Sequence, residues 1–386
     1  AEGPVVVFVA SGSCDGDDRG CEVRAQQEQV LQAVGVHADG SLTPLPKIAV
    51  NARGLPLWLA VQEGQGPAGA PTCVFALRGG VLPLAVVAGG GGLRPAGGAV
   101  PSGGADPVHA SVTADGRTLL VANYHGPDNT TEDRGASVAS FSIGAGCTLA
   151  PVDVMPHHGS SADPQRQGAA HVHSVVPARS GLAYACDLGT DEIYTYAVAP
   201  DSHLEEVHRF KTAPGLGPRH SVLHPTERLL YVVCEMGQVV LTFRAADDGG
   251  LTLLQTLSLN PAGVGAEGSK AAEIVMQPDG SALYVTNRGR QNTVTVFAIG
   301  VDGLLNQVQQ VAAPAYPRGM ALVPAGAGGG AVLLVAGQSQ TELAAFRVGA
   351  GGRLEAGPTL RAGLPPHPAA FAAPCRREAR TLSTRQ

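Results

Sequence analysis

Short apolar runs separated by polar turns recur along the chain in one repeated order. The stretches "PVHASVTADGRTLLVANYHG" (107–126), "AHVHSVVPARSGLAYACDLG" (170–189), "GPRHSVLHPTERLLYVVCEMG" (217–237), "AAEIVMQPDGSALYVTNRG" (271–289) and "YPRGMALVPAGAGGGAVLLVAGQ" (316–338) each hold an apolar run, a turn, and a second apolar run. Runs this short, bounded by Pro or Asp-Gly, predict strands. A third run ending in an aromatic follows each pair: "ASVASFSI", "DEIYTYAV", "QVVLTFRA", "NTVTVFAI" and "TELAAFRV". After a further turn comes a fourth, such as "LTLLQTLSL" or "LLNQVQQV". The turn prolines Pro177, Pro225, Pro278 and Pro324 repeat at intervals of 48, 53 and 46 residues. Four antiparallel strands at such a period are the signature of a propeller blade.

Five blades are explicit, and the first 100 residues hold "VVVFVASG", "SLTPLPKIAV", "LPLWLAVQEG" and "TCVFALRGGVLPLAVV", enough for two more. The expectation is therefore an all-β, seven-bladed β-propeller of four-stranded antiparallel blades, with six blades as the fallback. It forms a single domain over 1–386, with blades over about 4–370 and a frayed tail from about 371 on. Ring closure by the two chain ends places "VVVFVASG" in the last blade beside "LAAFRV".

Glycine (52) and proline (29) suit a fold of many turns, and aromatics are only 4% of the chain. A net charge of −6 offers no basic footprint for nucleic acid or an anionic membrane, so a small-molecule partner and a monomer are expected. Seven scattered cysteines without a paired spacing suggest mostly buried free thiols, with neither a disulfide framework nor a zinc site. The chain begins at Ala1 without Met and shows no basic n-region, so the expected location is the cytoplasm, with import into an organelle left open. The triplet Asn129-Thr130-Thr131 fits a glycosylation acceptor in a secreted protein only, and the loop around it, "HGPDNTTEDRG", reads as a solvated excursion.

A meander brings the start of its first strand and the end of its second to one rim. Counting six residues back from the turn prolines gives His171, Arg219, Ala272 and Arg318 as one ring. The second strands end at Asn123, Tyr124, Asp187, Glu235, Asn287 and Arg288. His171, His173, Arg219, His220, Glu235, Glu273, Arg288 and Arg318 thus converge on one mouth of the channel. Polar groups at strand starts also knit blades together, and an Arg219–Glu235 pair would serve as such a tie. Eight of them on one rim nevertheless point to a site for an anionic, oxygen-rich small molecule. His109, His125, His157 and His158 are weaker candidates.

At these residues the sequence resembles the seven-bladed propeller lactonases, which include the bacterial-type 6-phosphogluconolactonases and the carboxy-cis,cis-muconate cyclases. "HVHS" (171–174), "DLGTDEIYTY" (187–196), "GLGPRHSVLHP" (215–225), "YVVCE" (231–235), "AAEIVMQPDGSALYVTNRG" (271–289) and "YPRGMAL" (316–322) carry the resemblance over about residues 100–350. It implies catalytic roles for His171, Arg219, Glu235 and Arg288, and substrate binding by His173, His220, Glu273 and Arg318. One departure is Cys234, where the family has Asn beside the Glu.

The implied reaction is hydrolysis of 6-phosphogluconolactone in carbohydrate metabolism, a step of the pentose phosphate pathway. Glu235 or His171 would activate water, Arg219 would hold the carboxylate of that base or polarise the lactone carbonyl, and Arg288 and Arg318 would hold the phosphate. No cofactor and no metal are expected, because the rim is richer in Arg than in carboxylates, and the missing serine nucleophile elbow speaks against a covalent acyl-enzyme. The alternatives are a muconate-type lactonising cycloisomerase and a non-enzymatic binding platform. The platform reading calls for exposed aromatic patches, yet the only tryptophan, Trp58, lies in a strand-like run.

Overall fold

The computed structural model describes residues 5–11, 30–37, 39, 41–49, 58–62, 72–77, 79–87, 92–125, 136–260, 267–324, 330–339, 342–360 and 368–375. These residues form seven four-stranded antiparallel sheets, numbered here as strands β1–β28 in chain order. Seven strands line the axis: β4 (Trp58–Gln62), β8 (Ala105–Val112), β12 (Val172–Pro177), β16 (Pro218–Leu223), β20 (Ser269–Met276), β24 (Pro317–Pro324) and β28 (Pro368–Cys375). Each touches the next in that order and β28 returns to β4, so the ring is closed.

The repeated aromatic of the third strand explains how the blades stack. Phe141, Tyr196, Phe243, Phe297 and Phe346 are all buried, and each packs into a cluster shared with the preceding blade. Phe243, for example, meets Phe210 of the preceding blade edge to face at 4.9 Å. Burying such a ring stabilises by roughly 1.5–3 kcal/mol, so one aromatic per blade is a substantial inter-blade tie. Second-strand tyrosines add a directed contact: Tyr231 and Tyr284 donate to the carbonyls of Gly303 and Gly352 in the following blade, at 2.8 and 2.9 Å.

Two expectations change. First, β1 (Val5–Ser11) pairs with β28 and with β2 (Val30–Val36), and β3 (Leu42–Ala49) completes that sheet. The N-terminal strand therefore does not join the sheet of "LAAFRV", which already has four consecutive strands of its own. β28 covers 368–375, so part of the segment expected to fray is a strand, while 376–386 lie outside the described residues. Second, Cys73 and Cys147 form a disulfide between adjacent blades, whereas Cys186 and Cys234 are buried free thiols. The sequence separation of 74 hid the pair, because blade neighbours meet in space one full repeat apart. The loop at 126–135, with the Asn129 triplet, lies outside the described residues.

Candidate active site

One irregularity recurs at the same point of five inner strands. In β16, Pro218 pairs with Cys234 and His220 with Val233, which leaves Arg219 as an extra residue. The same skip leaves Val108 extra in β8, His173 in β12 and Arg318 in β24. In β20 the shift falls between Ala271 and Ile274 and takes in Ala272 and Glu273. A bulge re-aims a side chain that a regular pleat would point elsewhere. Here the re-aimed residues meet: a cavity of about 10 Å³ is lined by Val108, His173, Arg219, Glu273 and Arg318, with Trp58 and His220.

Local sequence sets the bulge of β16. Gly215 and Gly217 have positive φ (81° and 62°), and their N–H groups donate to the two oxygens of Asp191 at 2.7 and 2.6 Å. Only glycine adopts that backbone without strain. This clamp turns the chain so that Pro218 starts the strand with Arg219 directed inward.

Above the cavity, Glu235 gathers three arginines. Arg219 Nε and Arg288 Nη2 donate to its Oε2 at 3.1 and 2.9 Å, and Arg166 Nη2 donates to Oε1 at 2.6 Å. The Arg219, Arg288 and Glu235 side chains are only 3%, 2% and 1% exposed, so this is a buried charge network; Arg166 is 39% exposed at its edge. Arg219 also donates to the Ala272 carbonyl at 2.5 Å, and burial followed by the nearby Arg288 lowers its pKa to about 10, which leaves it cationic near neutrality. The Arg288 guanidinium lies 5.2 Å from the Tyr316 ring centre.

Below Arg219, His220 Nδ1 lies 2.8 Å from Glu273 Oε1. Burial holds His220 well below the ordinary histidine value and raises Glu273 to about 7. The pair therefore carries at most the charge of the carboxylate. His220 packs edge to face against Trp58, His109 and His173 at ring separations of 5.1–5.3 Å. Burial likewise depresses His109 and His173 strongly. Trp58 Nε1 is fixed by the Ala110 carbonyl at 2.8 Å.

His171 is not the equivalent of Arg219. Pro177 lies four residues after the bulge residue of β12, His173, whereas Pro225 and Pro324 lie six after Arg219 and Arg318, so counting back from the prolines misplaces the β12 station by two. His173 holds the bulge station, and His171 stands where Gly217 stands: their carbonyls accept from the N–H groups of Leu188 and Glu235. The His171 ring stacks on Tyr124 at 4.3 Å and meets the cavity wall through it, since Tyr124 is 5.5 Å from His173. Burial lowers the pKa of His171.

Residues 20–359 match the family model "Lactonase, 7-bladed beta-propeller". The chain belongs to that lactonase family. It is 30% identical over 221 residues to a 6-phosphogluconolactonase of Bacillus subtilis, covering 56% of this chain and 60% of the relative. Over 250 residues it is 28% identical to a 6-phosphogluconolactonase of Formosa agariphila, covering 62% and 66%. The matches span about half to three-fifths of the length of the first curated relatives. The periplasmic gluconolactonase of Pseudomonas aeruginosa superposes with a TM-score of 0.78 at 26% identity, over 95% of this chain and 98% of that one. A putative 6-phosphogluconolactonase of Bacteroides fragilis shares the fold, with a TM-score of 0.75 at 24% identity over 95% and 97%.

The departure at Cys234 falls on a structural station of the family fold. Its counterparts in three other blades are Asn123, Asp187 and Asn287, each opposite the residue that precedes the bulge of its inner strand. Asn123 donates to Ser102 and Ser137, and Asp187 accepts from His157 and from the N–H groups of His171, Gly189 and Thr190. His157, sealed between Asp187 and Tyr196, is likewise structural, and His125 pairs with Asp106 away from the cavity lining. Arg166 and Trp58 were not among the expected site residues. Arg166 lies on a loop outside the repeating strands, and Trp58 sits where the repeat is hardest to register.

Proposed function

We propose that the protein hydrolyses a phosphorylated sugar δ-lactone, 6-phosphogluconolactone in the first place. The observation that carries this reading is the buried cluster of Arg219, Arg288 and Arg166 on Glu235, with Arg219 and Arg318 both lining the cavity beneath. Four guanidinium groups outnumber the two carboxylates, so the mouth favours an anion. Planar donor forks suit both a phosphate and the oxyanion that develops when a lactone carbonyl is attacked. With both oxygens of Glu235 engaged by guanidinium groups, its role in this reading is to hold the arginines in register. The names of the relatives support the same chemistry. Hydrolysis releases an acid, so proton release by the purified protein on 6-phosphogluconolactone and on gluconolactone is the direct test. We expect rates well above the spontaneous reaction, with the phosphorylated lactone preferred. If neither lactone is opened and a carboxymuconate is cyclised instead, the lactonase reading fails.

A further inference from the structure

We propose that the cavity beneath Arg219 and Arg318 is the seat of the hydrolytic water, that His220 Nε2 is the base that takes its proton, and that Glu273 is the residue positioning His220. This rests on the lactonase reading and adds a base that the resemblance does not supply, since His220 and Glu273 enter there only as binding residues.

The geometry is that of a base with an orienting partner. Glu273 Oε1 lies 2.8 Å from Nδ1 and is itself held by the Ile274 N–H at 3.1 Å, while the Glu273 N–H donates to Thr286 Oγ1 at 2.9 Å. A carboxylate there keeps the proton on Nδ1 and leaves Nε2 with its lone pair. Among the described residues, the buried His220 Nε2 and His173 Nδ1 have no hydrogen-bond partner. Buried polar atoms left without partners are costly, so two of them around one cavity ask for something to bind. The cavity, at about 10 Å³, is close to the space that one water needs, and it is lined by polar groups. A larger cavity of about 270 Å³ also reaches His220, Glu273 and Trp58, but its remaining wall is largely apolar, including Val222, Ile274, Met276 and Met320.

The step balances without a further reactant. Nε2 takes a proton from water as the water oxygen bonds to the lactone carbonyl carbon. The carbonyl electron pair moves onto oxygen, where Arg219 donates to it. As the intermediate collapses, the carbon–ring-oxygen bond breaks and the ring oxygen takes the proton from Nε2. A hydroxy acid forms and His220 is restored.

His220 faces His109, His173, Arg219, Arg318, Glu235, Arg288 and Glu273, and burial raises Glu273 to about 7. Protonated Glu273 would donate to Nδ1 and place the imidazole proton on Nε2, so kcat/KM should rise with pH through about 7. The test is kinetics of His220→Gln and Glu273→Gln on the lactone, with thermal melts and imidazole ¹⁵N spectra of the parent and of Glu273→Gln. We expect kcat to fall by about 10²-fold or more in His220→Gln with KM little changed, within the range of general-base groups. In Glu273→Gln we expect loss of the rise near pH 7, and in the parent an unprotonated Nε2. A folded His220→Gln with parental kcat, or a parent whose Nε2 carries the proton at pH 8, overturns the assignment and leaves the lactonase reading standing. Should His220→Gln not fold, the Glu273→Gln pH profile and the parent spectrum decide. A parent that opens no lactone overturns both.

Discussion

Arg166 reaches Glu235 across 69 residues of sequence and closes on its Oε1 at 2.6 Å. It is the solvent-facing member of an otherwise buried charge cluster. Arg219 and Arg288 both share the other oxygen, Oε2. Replacing Arg166 with alanine should raise KM for the phosphorylated lactone, because one cation leaves the mouth. An ion pair this exposed contributes at most about 1 kcal/mol to stability, so the melting temperature should move by only a few degrees. Kinetics and melts on the same preparation check this; a large drop in melting temperature would show that the loop of Arg166 braces the fold.

Glu235→Gln tests the lattice. From the sequence, the amide looks like a shape-preserving change that removes a base. The structure changes that expectation, because Arg219 and Arg288 are buried and the carboxylate is their shared countercharge. Removing one partner of a buried charge pair costs on the order of 3–5 kcal/mol. Denaturant melts should therefore show a clearly destabilised protein as well as reduced turnover. A variant as stable as the parent would mean that the two arginines are compensated elsewhere.

Arg318 lines the same cavity as Arg219, from β24. Arg318→Ala should raise KM for 6-phosphogluconolactone about tenfold or more while changing KM for unphosphorylated gluconolactone little, the pattern of a lost binding contact. Equal effects on both substrates would remove the phosphate from its vicinity.

The buried histidines set a pH dependence of stability. Burial depresses His109, His173 and His220 well below their ordinary 6.5, so the stability they lend is present above that value and is lost as pH falls below it. Glu273 acts the other way: raised from 4.5 to about 7, it lends stability at low pH that is lost as pH rises through about 7. Between these limits the three strongly depressed histidines, with His171 adding in the same direction, oppose one carboxyl, and each net proton is worth about 1.4 kcal/mol per pH unit. Unfolding free energy measured by denaturant should fall from pH 6.5 to 5, and fall more steeply in Glu273→Gln, which lacks the opposing group. A shallower slope in that variant would contradict the assignment.

The sequence made the blades legible because a blade is a local object: four adjacent strands, an aromatic in the third, a turn after each. Arg219, His220, Glu235, Glu273, Arg288 and Arg318 could be placed at one mouth for the same reason. Position along a strand was harder. Pro177 follows the bulge of β12 by four residues and Pro225 that of β16 by six, so a ruler laid on prolines exchanged His171 for His173. Bulges leave no mark in a pattern of apolar residues, yet they direct the cavity-lining side chains. Arg166 enters from a loop with no repeat to index it, and the Cys73–Cys147 bond depends on contact between blades, which local pattern does not encode.

The pairing of β1 with β28 has a consequence for the order of events during synthesis. By the time a ribosome has made residue 340, every arginine and histidine of the mouth exists, and blades can fold as they emerge. The inner position between β24 and β4 is still unfilled, and both of those strands carry site residues, Arg318 and Trp58. A nascent chain therefore holds all the chemical groups but not their convergence until β28 has emerged and docks beside β1. The mouth in this architecture is completed only once β28 has been made, well downstream of the last residue that lines its cavity.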